Sequence, residues 1–513
     1  MKQKSSVKES PRREPEQQAG RRSPSRVRAS VWLAIAAALL LFSNGANNVP
    51  LAAWFAPVFL LRFVRSQKLR IGLPIAYMLL AAGFAFQFRG MVPIPGVTYL
   101  IFLLLWGIPL VFPYVVDRLV ANKLAGLKAT LVFPTAWTAM EYLLARGPYG
   151  SWGSAAYSQY GNLPLLQVLS VTGLWGITFL LGWFAAACNS LWENGLDFQR
   201  ARAGAWMCAG TIATVVLLGG IRLALLPPSS QTVRVASISR SIAPPLSTLA
   251  VKRLFEGPAS SADIAEFRAW ATANEDDLLA RAEREMQAGA KIVFWGETNA
   301  FVLKEEETAF VRRGGDLAAK YHAYLGMAMG VLSLGQRPCC QNKLVLLQPN
   351  GQVAWEYDKA RPIPGAEAAH QIHGDGKLRV LDTPYGRLSS IICFDADFPQ
   401  LLAQAGVSGV DVLFDPSNDW RAIDPWHTQM ASFRAIEQGV NLIRHTSQGL
   451  SAAFDYQGRR LAAMDDYHST DKVMVTQVPT RGVRTIYSRL GDWFAWVCLA
   501  SLVLLPIASV RRH

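Results

Sequence analysis

Apolar segments set the frame for this chain. They run over about 31–46, 50–65, 71–88, 97–117, 129–145, 164–191 and 203–226, then once more at 491–509. A helix crossing a hydrocarbon core needs roughly 20 apolar residues. The longer segments meet that length, and the first two read as a tight or tilted hairpin. The composition agrees: the chain is 51% hydrophobic and 17% charged, where about 25% charged is usual for soluble proteins.

Charge is unevenly placed. Nine Lys and Arg fall in the first 30 residues. Such a tail suits nucleic acid or a disordered cytoplasmic segment, and the spans that follow at once favour the second. The same spans argue for a retained anchor over a cleaved signal peptide. Short connections on the tail's side carry Arg62, Arg65, Lys68 and Arg70, then Arg118, Lys123 and Lys128, then Arg200 and Arg202, and last Arg511 and Arg512. Opposite connections carry only Arg89 and Arg146. The positive-inside rule places both termini in the cytoplasm. Seven spans then put residues 228–490 outside. Expected units are a basic tail over 1–30, a membrane domain over 31–227, an outward domain over 228–490, and a final helix with a short basic tail over 491–513. The loop 146–163, rich in Gly, Trp and Tyr, reads either as an interfacial aromatic belt or as the lining of a lipid entrance.

Within 228–490 the pattern changes. Val233–Ile238 alternates as a strand, 262–289 reads as a charged amphipathic helix, and Lys291–Trp295 as a buried strand. Leu303–Tyr321 reads as helix and Tyr324–Leu332 as strand. A hairpin is expected about Pro349-Asn350-Gly351. Strands follow at Leu388–Ile392, Val410–Phe414 and Val440–His445, with a helix at Trp426–Gln438 and paired strands about Gln457-Gly458. Alternating helix and strand signals predict an α/β domain. No CxxC or Cys/His zinc spacing appears, and no disulfide framework. Cys339 and Cys340 receive no role.

Three polar residues stand just past apolar strand signals: Glu297, Lys359 and Cys393. Together they can do acyl transfer. A thiolate attacks a carbonyl, a carboxylate takes the thiol proton, and an ammonium stabilises the oxyanion.

The order Glu, Lys, Cys at strand ends resembles the nitrilase, or carbon–nitrogen hydrolase, superfamily. Flanking stretches sharpen the likeness: Tyr357-Asp-Lys-Ala-Arg-Pro-Ile-Pro-Gly-Ala-Glu367, Cys393-Phe-Asp-Ala-Asp-Phe-Pro399, Pro416-Ser-Asn-Asp-Trp420, His427 to Glu437, and Thr485 to Trp493. With the span pattern and Tyr157-Ser-Gln-Tyr, the layout resembles its membrane branch, the apolipoprotein N-acyltransferases. That implies a multi-pass α-helical membrane domain of about eight helices plus an α/β nitrilase-like αββα sandwich. Glu297 is then the general base, Lys359 the oxyanion stabiliser and Cys393 the nucleophile, through a thioester in ping-pong order. Glu367 supports the triad, and Ser417, Asn418 and Trp420 lie beside the acyl group. The implied partners are a phospholipid donor, a diacylated lipoprotein acceptor and the lipid bilayer of a bacterial inner membrane. No cofactor, metal or nucleic acid is implied, and a monomer is expected. The chain departs from the family pattern at Gly365-Ala366, where Phe-Gly is usual, and at Asp395, where Glu is common. Only 25 residues separate Glu367 from Cys393, so the alternative is a membrane-tethered nitrilase-type amidase or an acyltransferase for another amine.

Overall fold

The computed structural model describes residues 26–94, 96–195, 198–243, 252–255 and 257–510. Most of the basic tail expected over 1–30 lies outside them. The helical half comprises α1 (Arg26–Leu40), α2 (Pro50–Ser66), α3 (Leu69–Gln87), α4 (Gly96–Val120), α5 (Leu127–Leu144), α6 (Leu163–Leu166), α7 (Leu169–Thr172), α8 (Leu174–Glu193) and α9 (Phe198–Leu225).

Among the described residues, four helices are long and apolar enough to cross a membrane: Leu69–Gln87, Gly96–Lys123, Leu174–Glu193 and Ala203–Leu225. About eight were expected. The shortfall has local causes. Helices α1 and α2 have 15 and 17 residues, and α2 carries Arg65, paired with Asp117 at 2.6 and 2.8 Å. Helix α5 carries Lys128, Glu141 and three threonines. The segment expected over 164–191 is broken, because Gly173 takes φ +65 and ends α7. A Cβ at Gly173 would lie 2.5 Å from the Tyr487 ring, so the chain turns where the other half packs against it.

The second half is built on two sheets. One has the order β13-β1-β2-β4-β5-β6, with β3 on β4. Its strands are β1 (Thr232–Ile238), β2 (Ile292–Trp295), β3 (Ala300–Leu303), β4 (Tyr324–Leu332), β5 (Cys340–Leu347), β6 (Val353–Asp358) and β13 (Val473–Pro479). The other runs β12-β11-β10-β9-β8-β7. It comprises β7 (Val380–Thr383), β8 (Gly386–Ser390), β9 (Val412–Asn418), β10 (Asn441–Ser447), β11 (Leu450–Phe454) and β12 (Arg460–Asp465). The sheets meet face to face through side chains such as Phe294 and Phe414, with ring centroids 5.0 Å apart. Helices α10 (Ser261–Gln287) and α11 (Glu307–Tyr321) cover the first sheet; α12 (Pro399–Ser408) and α13 (Trp426–Gln438) cover the second. Ser260 opens α10 with a capping box to Asp263, which satisfies two end amides. This is an αββα sandwich. Cys339 and Cys340 form a vicinal disulfide at the start of β5, which the reading without disulfides did not anticipate.

The chain returns to the helical half through α14 (Ile486–Leu490) and α15 (Trp493–Val510). Parallel pairing sets the active edge. Strand β1 runs with β2, and β2 with β4; β8 runs with β9, and β9 with β10. Two antiparallel steps, β4 to β5 to β6, bring β6 back to the direction of β4. The carboxyl ends of β2, β6 and β8 therefore serve one site, the usual place for chemistry in such sheets.

Candidate active site

Glu297 leaves β2 on a tight turn, with Thr298 at φ +48. Its Oε1 accepts from Asn342 Nδ2 at 2.7 Å and from Lys359 Nζ at 2.7 Å. Lys359 leaves β6 fully buried, and its Nζ also donates to Glu367 Oε2 at 2.8 Å. Glu367 is held in turn by the Ile363 amide at 2.9 Å. Strand β5 runs antiparallel, so its start places Asn342 at the edge where β2 and β6 end. Burial raises Glu297 above the ordinary carboxylate range, against the pull of Lys359. Burial works against the Lys359 charge, yet Glu297 and Glu367 outweigh it and hold the ammonium.

Cys393 follows β8 and opens a 3-10 turn, Cys393–Asp397, at φ +52. Non-glycine residues rarely adopt this conformation, and it recurs where function demands strain. The Cys393 amide donates to Asp415 Oδ1 at 2.8 Å. Burial and Glu297 push the thiol up, while Lys359 and Arg444 pull it down less strongly. Burial thus favours the protonated thiol and strengthens the Glu297 carboxylate as a base. The Asp395 carboxylate accepts from the Tyr357 hydroxyl at 2.7 Å and the Arg361 amide at 2.8 Å, tying the cysteine turn to the lysine loop. Burial lifts Asp395 to about 6.

Behind the cysteine lies a network that sequence reasoning missed. Arg444 donates to Asp415 at 2.5 Å and to Asp419 at 3.0 Å. His427 Nδ1 stands 2.9 Å from Asp419 Oδ1, and Nε2 stands 3.4 Å from Asp397 Oδ1. Burial and Arg444 lower His427, but Asp397 and Asp419 together raise it to about 9. A charged Arg444 directly after the apolar pair Leu442-Ile443 in strand β10 was the signal available. Ligand atoms of Cys393, Asp419 and His427 lie within 4.8 Å of one another. Arg444 already donates to Asp419 within this group, so its charge balance suits an ion network rather than a metal.

The remaining expected residues divide. Ser417 is buried behind the site, its Oγ 3.2 Å from the Asp415 carboxylate. Asn418 accepts from Gln448 Nε2 at 3.3 Å. Neither lines the apolar cavity of about 460 Å³ at the site, whereas Trp420 does. That cavity is walled by Ile363, Phe394 and Trp420 from the sandwich and by Trp106, Tyr149 and Trp152 from the helical half. A larger cavity, about 710 Å³, lies within the helical half away from Cys393, so the smaller one is the candidate substrate site.

The loop 146–163 reaches the chemistry directly. The Ser151 amide and hydroxyl donate to the Asp397 carbonyl at 2.7 and 2.8 Å. Gly150 adopts φ +56 where a Cβ would meet that oxygen at 2.3 Å. Glu141 fixes the loop by accepting from Ser154 at 2.6 Å and from the Ala155 amide at 3.0 Å.

Comparison with known proteins gives two family profiles. "Apolipoprotein N-acyltransferase N-terminal domain" matches residues 36–187, and "Carbon-nitrogen hydrolase" matches residues 264–487. An apolipoprotein N-acyltransferase of Geobacter metallireducens is 25% identical over 79% of this chain and 78% of its own. One of Bradyrhizobium diazoefficiens is 26% identical over 77% and 75%. A Nesterenkonia amidase structure aligns at 17% identity and TM-score 0.40, over 52% of this chain and 97% of its own. Profiles for both halves, in chain order, and relatives matched along most of both lengths leave one assignment: the chain belongs to the apolipoprotein N-acyltransferase family, within the carbon-nitrogen hydrolase superfamily.

Proposed function

We propose that this enzyme moves an acyl chain from a phospholipid to the N-terminal α-amine of a diacylglyceryl-cysteine lipoprotein. In the first half-reaction Cys393 Sγ attacks an ester carbonyl, and Glu297 takes the thiol proton. Lys359 stabilises the oxyanion. Glu297 then returns the proton to the leaving oxygen, a lysophospholipid departs, and a thioester remains. In the second half the lipoprotein amine attacks the thioester, Glu297 accepts an amine proton, and Cys393 leaves with a proton restored. Binding a charged lysine between two carboxylates in a dry site fixes its dipole before the reaction, which is where such stabilisation is strongest.

One observation carries this reading. The cavity lined by Phe394, the residue after Cys393, is apolar and takes more than half its wall from the helical half, as a site for membrane-borne chains requires. We further propose units over 31–227 and 228–490 as the membrane and catalytic domains, with about eight spans. Both termini are cytoplasmic in this reading, and the catalytic domain is on the outer face of a bacterial inner membrane. Its support is the bias of Lys and Arg among the short connections.

The test is transfer by the purified full-length enzyme in phospholipid vesicles. A diacylated lipopeptide gains the mass of one acyl chain if the reading holds. An unchanged lipopeptide, or release of free fatty acid alone, refutes it.

A further inference from the structure

We propose that the cavity inside the helical half receives the distal end of long acyl chains, with Phe84 and Phe88 as the gate from the reacting site. The inference rests on the function above and names what sets its chain-length preference.

The cavity of about 710 Å³ exists because small residues, among them Ala53, Ala56 and Gly153, face it. Its polar rim offers water little. Glu141 already accepts from Trp137, Ser154, Thr178 and the Ala155 amide. Asn44 Nδ2 donates to the Gly153 and Ser154 carbonyls at 3.0 and 3.2 Å. With Glu141 and the Asn44 amide already paired, the mostly apolar remainder of the wall suits hydrocarbon better than water. Within a bilayer the abundant hydrocarbon is a lipid tail.

A single aromatic layer parts the two cavities. Phe84 and Phe88 pack at 4.5 Å and border the inner one. On the other side Phe84 lies 5.6 Å from Trp106 and Phe88 lies 6.1 Å from Trp152, both walls of the reacting cavity. Gly153 sits against this layer, where a Cβ would stand 3.4 Å from Phe84 and 3.9 Å from Phe88. A glycine there leaves both rings room to turn. A short chain is housed by the outer cavity alone, and a long one continues past the two rings.

The experiment compares kcat/KM for dodecanoyl and octadecanoyl phospholipid donors, using full-length enzyme in detergent and one lipopeptide acceptor. Ala56→Leu fills the inner cavity and is expected to lower the octadecanoyl-to-dodecanoyl ratio about tenfold, the scale of discrimination in apolar pockets. Phe84→Ala opens the layer and is expected to raise it. Ala53→Leu serves in place of Ala56→Leu if that variant fails a thermal-unfolding check. A ratio unchanged in every folded variant overturns the proposal. Wild-type enzyme that transfers neither chain would instead refute the function beneath it.

Discussion

Cys393 enters the left-handed region three residues after its strand ends, and its amide is held by Asp415. That geometry turns the thiol out of the sheet and toward the edge shared with Glu297 and Lys359. Burial raises both the thiol and Glu297, and a raised carboxyl is the stronger base for taking the thiol proton. Replacing Glu297 with Gln keeps the shape and the Asn342 contact but removes the base. Acyl-enzyme formation is expected to slow by roughly a hundred- to ten-thousandfold, read as lysophospholipid release. His427 gives a second test. Its folded pKa of about 9 lies above the unfolded value of about 6.5. The stability it contributes is complete below about pH 6.5 and is lost as pH rises through 9. The unfolding temperature should therefore fall over that alkaline range, and His427→Gln should flatten the dependence. Of these residues, Glu297, Lys359 and Cys393 were singled out in the sequence because each follows an apolar strand signal and their order resembles that of the nitrilase superfamily. Asp415, Asp419 and Arg444 were not, since they meet only through the parallel register of β9 and β10, where Arg444 stands opposite Asp415.

Elements with strong periodicity were readable. The helix expected at Trp426–Gln438 has those bounds, and the hairpin about Pro349-Asn350-Gly351 pairs β5 with β6. Strand β7 escaped because its four residues are only partly buried. Strand β13 escaped as an edge strand of alternating exposure. The segment expected to run unbroken over 164–191 shows the limit of hydropathy. Its first part, α6 and α7, is apolar because it packs on α13, α14 and α9, not because it spans with α8. Loop 146–163 was left between two readings, and its Gly150 and Ser151 hold the cysteine turn. Gly150→Ala places a side chain at φ +56 against the Asp397 carbonyl. The left-handed backbone alone costs about 1–2 kcal/mol. A lower unfolding temperature together with slower acyl-enzyme formation is expected; unchanged values for both would show that this contact is dispensable.

At the scale of the molecule, the two halves are joined by buried polar anchors. Glu437 accepts from the Leu174 amide at 2.9 Å and from Arg434 at 2.6 Å, and Arg434 also donates to Tyr157 at 2.6 Å. Truncating Arg434 would strand Glu437 in a buried setting and remove the tie to Tyr157 of the helical half. The orientation of the protein in the membrane is testable with single cysteines introduced into a background lacking exposed thiols. Asp276→Cys, on exposed α10, is expected to react with an impermeant maleimide in intact spheroplasts. Lys68→Cys, among the basic connections, is expected to react only after permeabilisation. The reverse pattern would invert the topology.

The most direct measurement is the intact mass of the full-length enzyme after incubation with phospholipid and no acceptor. The account predicts a gain of one acyl chain, carried as a hydroxylamine-labile thioester on the peptide containing Cys393 and absent in Cys393→Ala. An acyl group on another residue, or lipopeptide acylation that persists in Cys393→Ala, would contradict it.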